Sequence, residues 1–391
     1  MPLPLTTGIE TGYPTLADGH RIDQMDRCGH YAHWEEDFEL ARELGVHALR
    51  YGPAYYRTHL APDEFDWESC DEQMVRLRQL GIEVIADLCH FGVPSWLGGF
   101  QDAAFPVLFA EYARAFARRY SWVRHFTPVF QIHRCATRSA LTGEWNERES
   151  SDAAFVTAMR NLCMAHELAV EAICAERPDA VIVQCERLER PPANGTAAGE
   201  PDRWHALRFL SLDLTLGHEL APGLGGYLQQ HGVTSNDLSF FRERRARHQR
   251  WVGLDYVPSR ERGAACAHHW TTPARPAGWP GIAAEHHARY GVPLVHAGST
   301  PDAARAVAWL HERWREALAL GASGIPVPVF HWASLTDTID WSNGASIAAN
   351  PIREIGLCTL GRDIRPVGEA FVRLGAGGRG SATWGASGTA G

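Results

Sequence analysis

No apolar run in the chain approaches the ~20 residues that a membrane-spanning helix needs, so no membrane partner is expected. The first eight residues lack a basic stretch followed by an apolar one, so no secretory signal is read there. Cysteines are few, scattered and odd in number: nine, with no C-x-x-C pair. That pattern predicts free thiols in a reducing cytoplasm rather than a disulfide framework. Positive charge is also short. Lys and Arg number 37 against 46 Asp and Glu, a net charge of −9 that argues against a nucleic-acid or anionic-membrane partner. The 20 histidines add positive charge only at low pH. There is no P-loop, dinucleotide fingerprint or G-x-S-x-G elbow. Neither H-x-H nor H-E-x-x-H occurs, so no cofactor and no metal site are expected.

What is present is ordinary globular material, 45% hydrophobic and 21% charged in 391 residues. Short apolar runs alternate with longer amphipathic stretches, which predicts parallel strands joined by helices. Eight candidate strands fall at residues 6–10, 46–51, 82–88, 126–131, 180–186, 251–256, 293–297 and 325–332. Helical spacing of apolar residues covers 35–44, 71–80, 106–120, 153–177 and 301–320, and the first two end before Gly45 and Gly81, glycines of the type that caps helix C-termini. Eight strand–helix units predict an α/β chain folded as a single (β/α)8 barrel over residues 1–375, with 376–391 as a low-complexity tail. Residues 190–202 and 263–281 read as loops; the second follows strand six, on the face where such barrels carry their sites.

The order of strand-end motifs resembles the family 1 glycoside hydrolases. HALRYGPAYYR on strand two is similar to the strand with an arginine beside the nucleophile, which places Arg50 there. ADLCHFGVPSWL resembles L-x-H-F-x-x-P-x-W-L, with His90 as a sugar-binding histidine and Trp96 as the family tryptophan. GLDYV is similar to G-x-N-Y-Y; Asp255 replaces the Asn, and Tyr256 matches a tyrosine that touches the nucleophile. FHWASLTDTIDWSNG resembles Y-W-S-L-x-D-N-F-E-W-x-x-G, which carries over Trp332, Asp337, Asp340 and Trp341, with Asp340 in place of a sugar-binding Glu. The resemblance implies a barrel with a small-molecule pocket at the C-terminal ends of its strands.

The departures are as informative. Where the family has N-E-P, this chain has Phe130, Gln131 and Ile132; where it has T-E-N-G, Gly298 takes the nucleophile's place. The family's glutamine near the N-terminus has no match in GIETGYPTL. A retaining glycosidase needs two carboxyl groups about 5 Å apart. An amide and a bare backbone supply neither.

Other polar groups at strand ends are candidates for different chemistry. Glu186, Asp255 and His296 are the expected catalytic set, and Arg50, His90, Trp96, Phe130, Gln131, Tyr256, Trp332, Asp337, Asp340 and Trp341 the expected substrate-binding set. Each has a plainer reading: Glu186 as an ion-pair partner, Asp255 as a structural hydrogen-bond acceptor, His296 as a core histidine. The sequence therefore predicts a repurposed glycosidase-like enzyme that performs acid/base hydrolysis, hydration, elimination or ring closure on a small non-sugar or glycosylated molecule such as a secondary metabolite. A non-catalytic binding protein and a residual glycosidase that borrows Glu186, Asp255 or Glu144 remain as alternatives.

Overall fold

The computed structural model describes residues 3–187, 206–244, 247–256, 278–300, 302–340 and 351–376. Eight parallel strands close into a barrel: β1 (Leu5–Gly8), β2 (Ala48–Tyr51), β3 (Glu83–Cys89), β4 (His125–Val129), β5 (Val181–Arg187), β6 (Gln249–Asp255), β7 (Leu294–Gly298) and β8 (Phe330–Trp332). Each pairs with its sequence neighbours, and β8 closes against β1. An outer layer of helices covers them: α1 (His30–Glu43), α2 (Glu68–Gln79), α3 (Phe105–Arg119), α4 (Asp152–Glu176), α5 (Ser235–Glu243), α6 (Gly278–Tyr290), α7 (Ala306–Ala322) and α8 (Pro366–Ala376). All eight expected strands are there, and the (β/α)8 expectation holds.

Local chemistry explains several boundaries. Gly45 and Gly81 both take φ of 70°, the left-handed conformation that ends α1 and α2 without a Cβ penalty. Ser151 caps α4 by accepting from the Ala154 N–H at 3.1 Å. The last strand is shorter than expected, three residues rather than the run 325–332. Pro326 and Pro328 lack the N–H that a central strand donates. The fourth strand stops at Val129, because Gln131 turns into the left-handed region at φ 48° and opens a short helix, Ile132–Ala136. The loop expected through Gly281 is corrected at its end: α6 begins at Gly278, and Pro280 fits its first turn. Residues 190–202, 263–277 and the tail 377–391 lie outside the described residues.

Barrel strands are buried on both faces, so parity decides what each residue meets. The register aligns Leu5, Phe330, His296, Leu254 and Glu186 in one row across five strands. That row faces the helices. Phe330 meets Trp314 of α7, and His296 meets Trp279 of α6. The alternate residues face the barrel axis: Gly8 beside Arg50, Thr6 beside His331 and Ala297, and Val295 beside Gly253 and Cys185.

Candidate functional site

The axis-facing residues open into a polar cavity of about 100 Å³ at the C-terminal ends of the strands. Its lining includes Glu10, Arg50, Phe130, Gln131, Arg134, Arg187, Asp255, Asp340 and Arg353, with Ala297 of β7 and Ser299 and Thr300 just after it.

One wall is a chain of charges. Glu10, two residues past β1, lies with Oε1 3.0 Å from His90 Nε2. On the other side of the ring, His90 Nδ1 donates to Asp87 at 2.8 Å. Burial opposes a charge on His90, but Asp87 and Glu10 outweigh it and raise its pKa. Burial likewise opposes the Glu10 charge; His90, Arg50 and Arg134 prevail and hold that carboxyl down to about 2. Phe130 lies beneath, its ring 4.1 Å from the His90 ring, with the Arg50 guanidinium 4.2 Å over it.

The opposite wall is built around an amide. Gln131 Nε2 donates to Asp255 at 3.2 Å, and Arg134, one turn along the short helix, donates to Gln131 Oε1 at 3.2 Å. Arg187 Nε stands 3.3 Å from the same Asp255 oxygen. At the end of β7 there is no acid: positions 297–300 are Ala, Gly, Ser and Thr. A Cβ added at Gly298 would meet Asp255 Oδ1 at 3.2 Å, so this glycine also borders that wall.

The structure thus gathers five of the expected residues on the cavity lining: Arg50, Phe130, Gln131, Asp255 and Asp340. His90 supports them from behind Glu10 and Phe130. Others are turned elsewhere. Glu186 faces the helical layer, where it accepts from the His133 N–H at 3.3 Å and the Gln184 amide at 3.1 Å. Burial pushes its carboxyl up to about 7 against those donors. His296 is a core histidine in this arrangement: it donates to the His331 carbonyl at 3.1 Å and stacks on Phe330 at 4.8 Å, and burial lowers its pKa to about 4. Both placements have one cause, the strand register that puts Glu186 and His296 in the outward row. Tyr256 stacks on Trp309 of α7. Trp332 is buried and donates to the Ile355 carbonyl at 3.0 Å. Trp96 donates to the His59 carbonyl at 2.8 Å, outside the lining. Asp337 binds Arg365 and the Gly356 N–H, which ties the segment after β8 in place. Trp341 lies outside the described residues.

Sequence reasoning missed Glu10, Arg134, Arg187 and Arg353. Glu10 had a usable signal, since it follows the first strand's C-terminal end, where barrels place functional groups. Arg187 had none, because only the β5–β6 ladder reveals that it pairs with Asp255.

The pattern described as "Glycosyl hydrolase family 1" matches residues 16–206. A beta-glucosidase from Agrobacterium sp. (strain ATCC 21400) is 30% identical over 155 residues, 37% of this chain and 33% of that enzyme. The match therefore spans a third of that relative's length. Among solved structures, the AHE enzyme from Alicyclobacillus herbarius superposes with a TM-score of 0.76 at 17% identity, covering 96% of this chain and 98% of that one. The family 1 b-glucosidase from Thermotoga maritima superposes with a TM-score of 0.73 at 17% identity, covering 96% and 97%. The chain shares the (β/α)8 fold of these proteins, and its residues 16–206 are similar to the family 1 pattern.

Within this glycosidase-like barrel, the chemical means are unequal. Asp255 and Glu10 offer carboxylates, Arg187 and Arg134 offer donors to developing negative charge, and Gln131 offers an amide that both donates and accepts. Among the described residues, no group of His, Cys, Asp and Glu has the proximity to hold a metal, and no helix is long and apolar enough to cross a membrane.

Proposed function

We propose that this barrel is a repurposed glycosidase-like enzyme that performs acid/base chemistry on a small molecule without a glycosyl-enzyme intermediate. Hydrolysis, hydration, elimination and ring closure are the reactions of this kind. One observation carries the reading: Gln131, at the end of β4, is clasped between Arg134 and Asp255, where the family resemblance puts a proton-donating glutamate. An amide so held cannot give up a proton at neutral pH. It can orient Asp255, which acts as the proton acceptor. Arg187 and Arg134 stabilise the negative charge that develops as the proton leaves.

Two measurements test this reading. An activated 2-deoxy-2-fluoroglucoside accumulates a covalent glycosyl adduct on a retaining glycosidase, because the second displacement is slowed. Intact-protein mass spectrometry is expected to show no added mass here; a stoichiometric adduct on a carboxylate overturns the proposal. Metabolite profiling of small-molecule extracts is expected to show a product formed by the wild type and absent with Asp255→Asn. Asp255 is not the proton acceptor if that product persists.

A further inference from the structure

We infer that the cavity takes a ligand bearing a single carboxylate, seated on Arg50. The inference names the substrate class of the site proposed above and rests on that reading, but binding tests it without turnover. Arg50 is 2% exposed and lines the cavity. Its Nη1 is buried with no hydrogen-bond partner, and its Nε stands 3.6 Å from Asp87, beyond hydrogen-bond distance. Asp87 in turn already receives His90 at 2.8 Å. A buried guanidinium with unsatisfied donors is costly, and an acceptor that enters with the ligand removes that cost.

The surroundings define the acceptor. Phe130 packs under the guanidinium, whose central carbon lies 4.2 Å from the ring centroid, and so restricts where it can move. A guanidinium presents a planar fork of parallel N–H groups, which matches the two coplanar oxygens of a carboxylate. The charge count points the same way. Among the described residues, four arginines line the cavity (Arg50, Arg134, Arg187 and Arg353) against three carboxylates, Glu10, Asp255 and Asp340. An excess of one cation suits a monoanion. A phosphate near −2 would meet repulsion from the three acids that one surplus charge cannot offset. At the end of β7 the lining residues Ala297, Ser299 and Thr300 are small, and no protein carboxylate stands on that side.

Calorimetry and thermal shift on the full chain test this with isosteric probes. Benzoate is set against benzamide, gluconate against glucose, and inorganic phosphate serves as the dianion. Each carboxylate is expected to bind at least about tenfold more tightly than its neutral isostere, the scale of a charge-assisted bidentate pair. Arg50→Gln is expected to erase that preference. Because Arg50→Gln alters a buried position, Gly298→Glu provides a second variant: it adds an internal carboxylate beside the cavity and is expected to abolish benzoate and gluconate binding while the protein stays folded. Equal binding of the neutral isosteres, no response to any carboxylate at millimolar concentration, tighter binding of phosphate, or carboxylate binding unchanged in both variants overturns the inference. A fluoroglucosyl adduct with carboxylate selectivity intact would sink only the proposed reaction, and the reverse result only the ligand class.

Discussion

At the scale of single residues, His90 concentrates the most electrostatic consequence. Its pKa is raised above the ordinary 6.5, so its contribution to stability is complete below 6.5 and is lost as pH rises through the raised value. Glu10 runs the other way. Its carboxyl is held near 2 instead of 4.5, so its contribution is present above 4.5 and fades as pH falls toward 2. Both contributions are in force between 4.5 and 6.5. His90→Gln is therefore expected to lose roughly 3–5 kcal/mol in that window, the usual cost of breaking a buried ion pair. The gap from wild type should narrow on either side of the window, as read by denaturant unfolding across a pH series. A gap that does not change with pH would mean that His90 acts by packing alone. The motif around His90 was legible from sequence, and Glu10 had a signal in its place after strand one; their pairing was not legible, because only the closed barrel brings strand one's exit within reach of strand three's. The arginines were illegible for a different reason. The chain has no lysine, and all 37 of its basic residues are arginine, so no contrast in residue type marked the few at the mouth.

At the scale of elements, the eight strands were readable as apolar runs, and their inward faces were not. A surface strand announces its buried face by alternation, but a barrel strand is covered on both sides, so VIVQCER gives no such cue. Only the register between strands separates Glu186 from Arg187. The consequence is measurable. Glu186 serves the backbone N–H groups that start the short helix Ile132–Ala136, and that helix carries Gln131 as its cap residue and Arg134 within it. Burial raises its carboxyl from 4.5 to about 7, so the native state prefers it protonated, and its ionisation costs stability as pH rises from 4.5 through 7. Glu186→Gln keeps the shape without the charge. It is expected to be near wild type at pH 4.5 and to gain stability over it as pH rises to about 8, by roughly 3 kcal/mol at most. Glu186→Ala should instead lose about 1–3 kcal/mol, because the helix donors are left unsatisfied. Calorimetric scans across pH compare the three proteins. Loss of turnover in Glu186→Gln with stability unchanged would return this residue to the reacting set.

At the scale of the molecule, the barrel separates two properties that the family resemblance implies together: a scaffold that gathers polar side chains at one end, and two carboxyl groups at the ends of β4 and β7. The first is retained in Arg50, Asp255 and Asp340 on one cavity lining. The second is absent at both positions. If the scaffold still holds a sugar as the resemblance implies, restoring both groups together should restore some of the reaction, and restoring one should not, since each displacement needs an attacking and a proton-transferring partner. Gln131→Glu is nearly isosteric and gains Arg134 as an ion partner. Gly298→Glu meets Asp255 at the Cβ, so the double variant crowds three carboxylates, and one of them should titrate above the ordinary range and supply the acid. The double variant is expected to release nitrophenol from 4-nitrophenyl β-glucoside at least about tenfold faster than either single variant, a modest fraction of what a general acid usually contributes. If the folded double variant releases none, then the residues around the missing pair no longer hold a pyranose in reach, and the divergence of this chain extends from its reacting groups to the shape of its pocket.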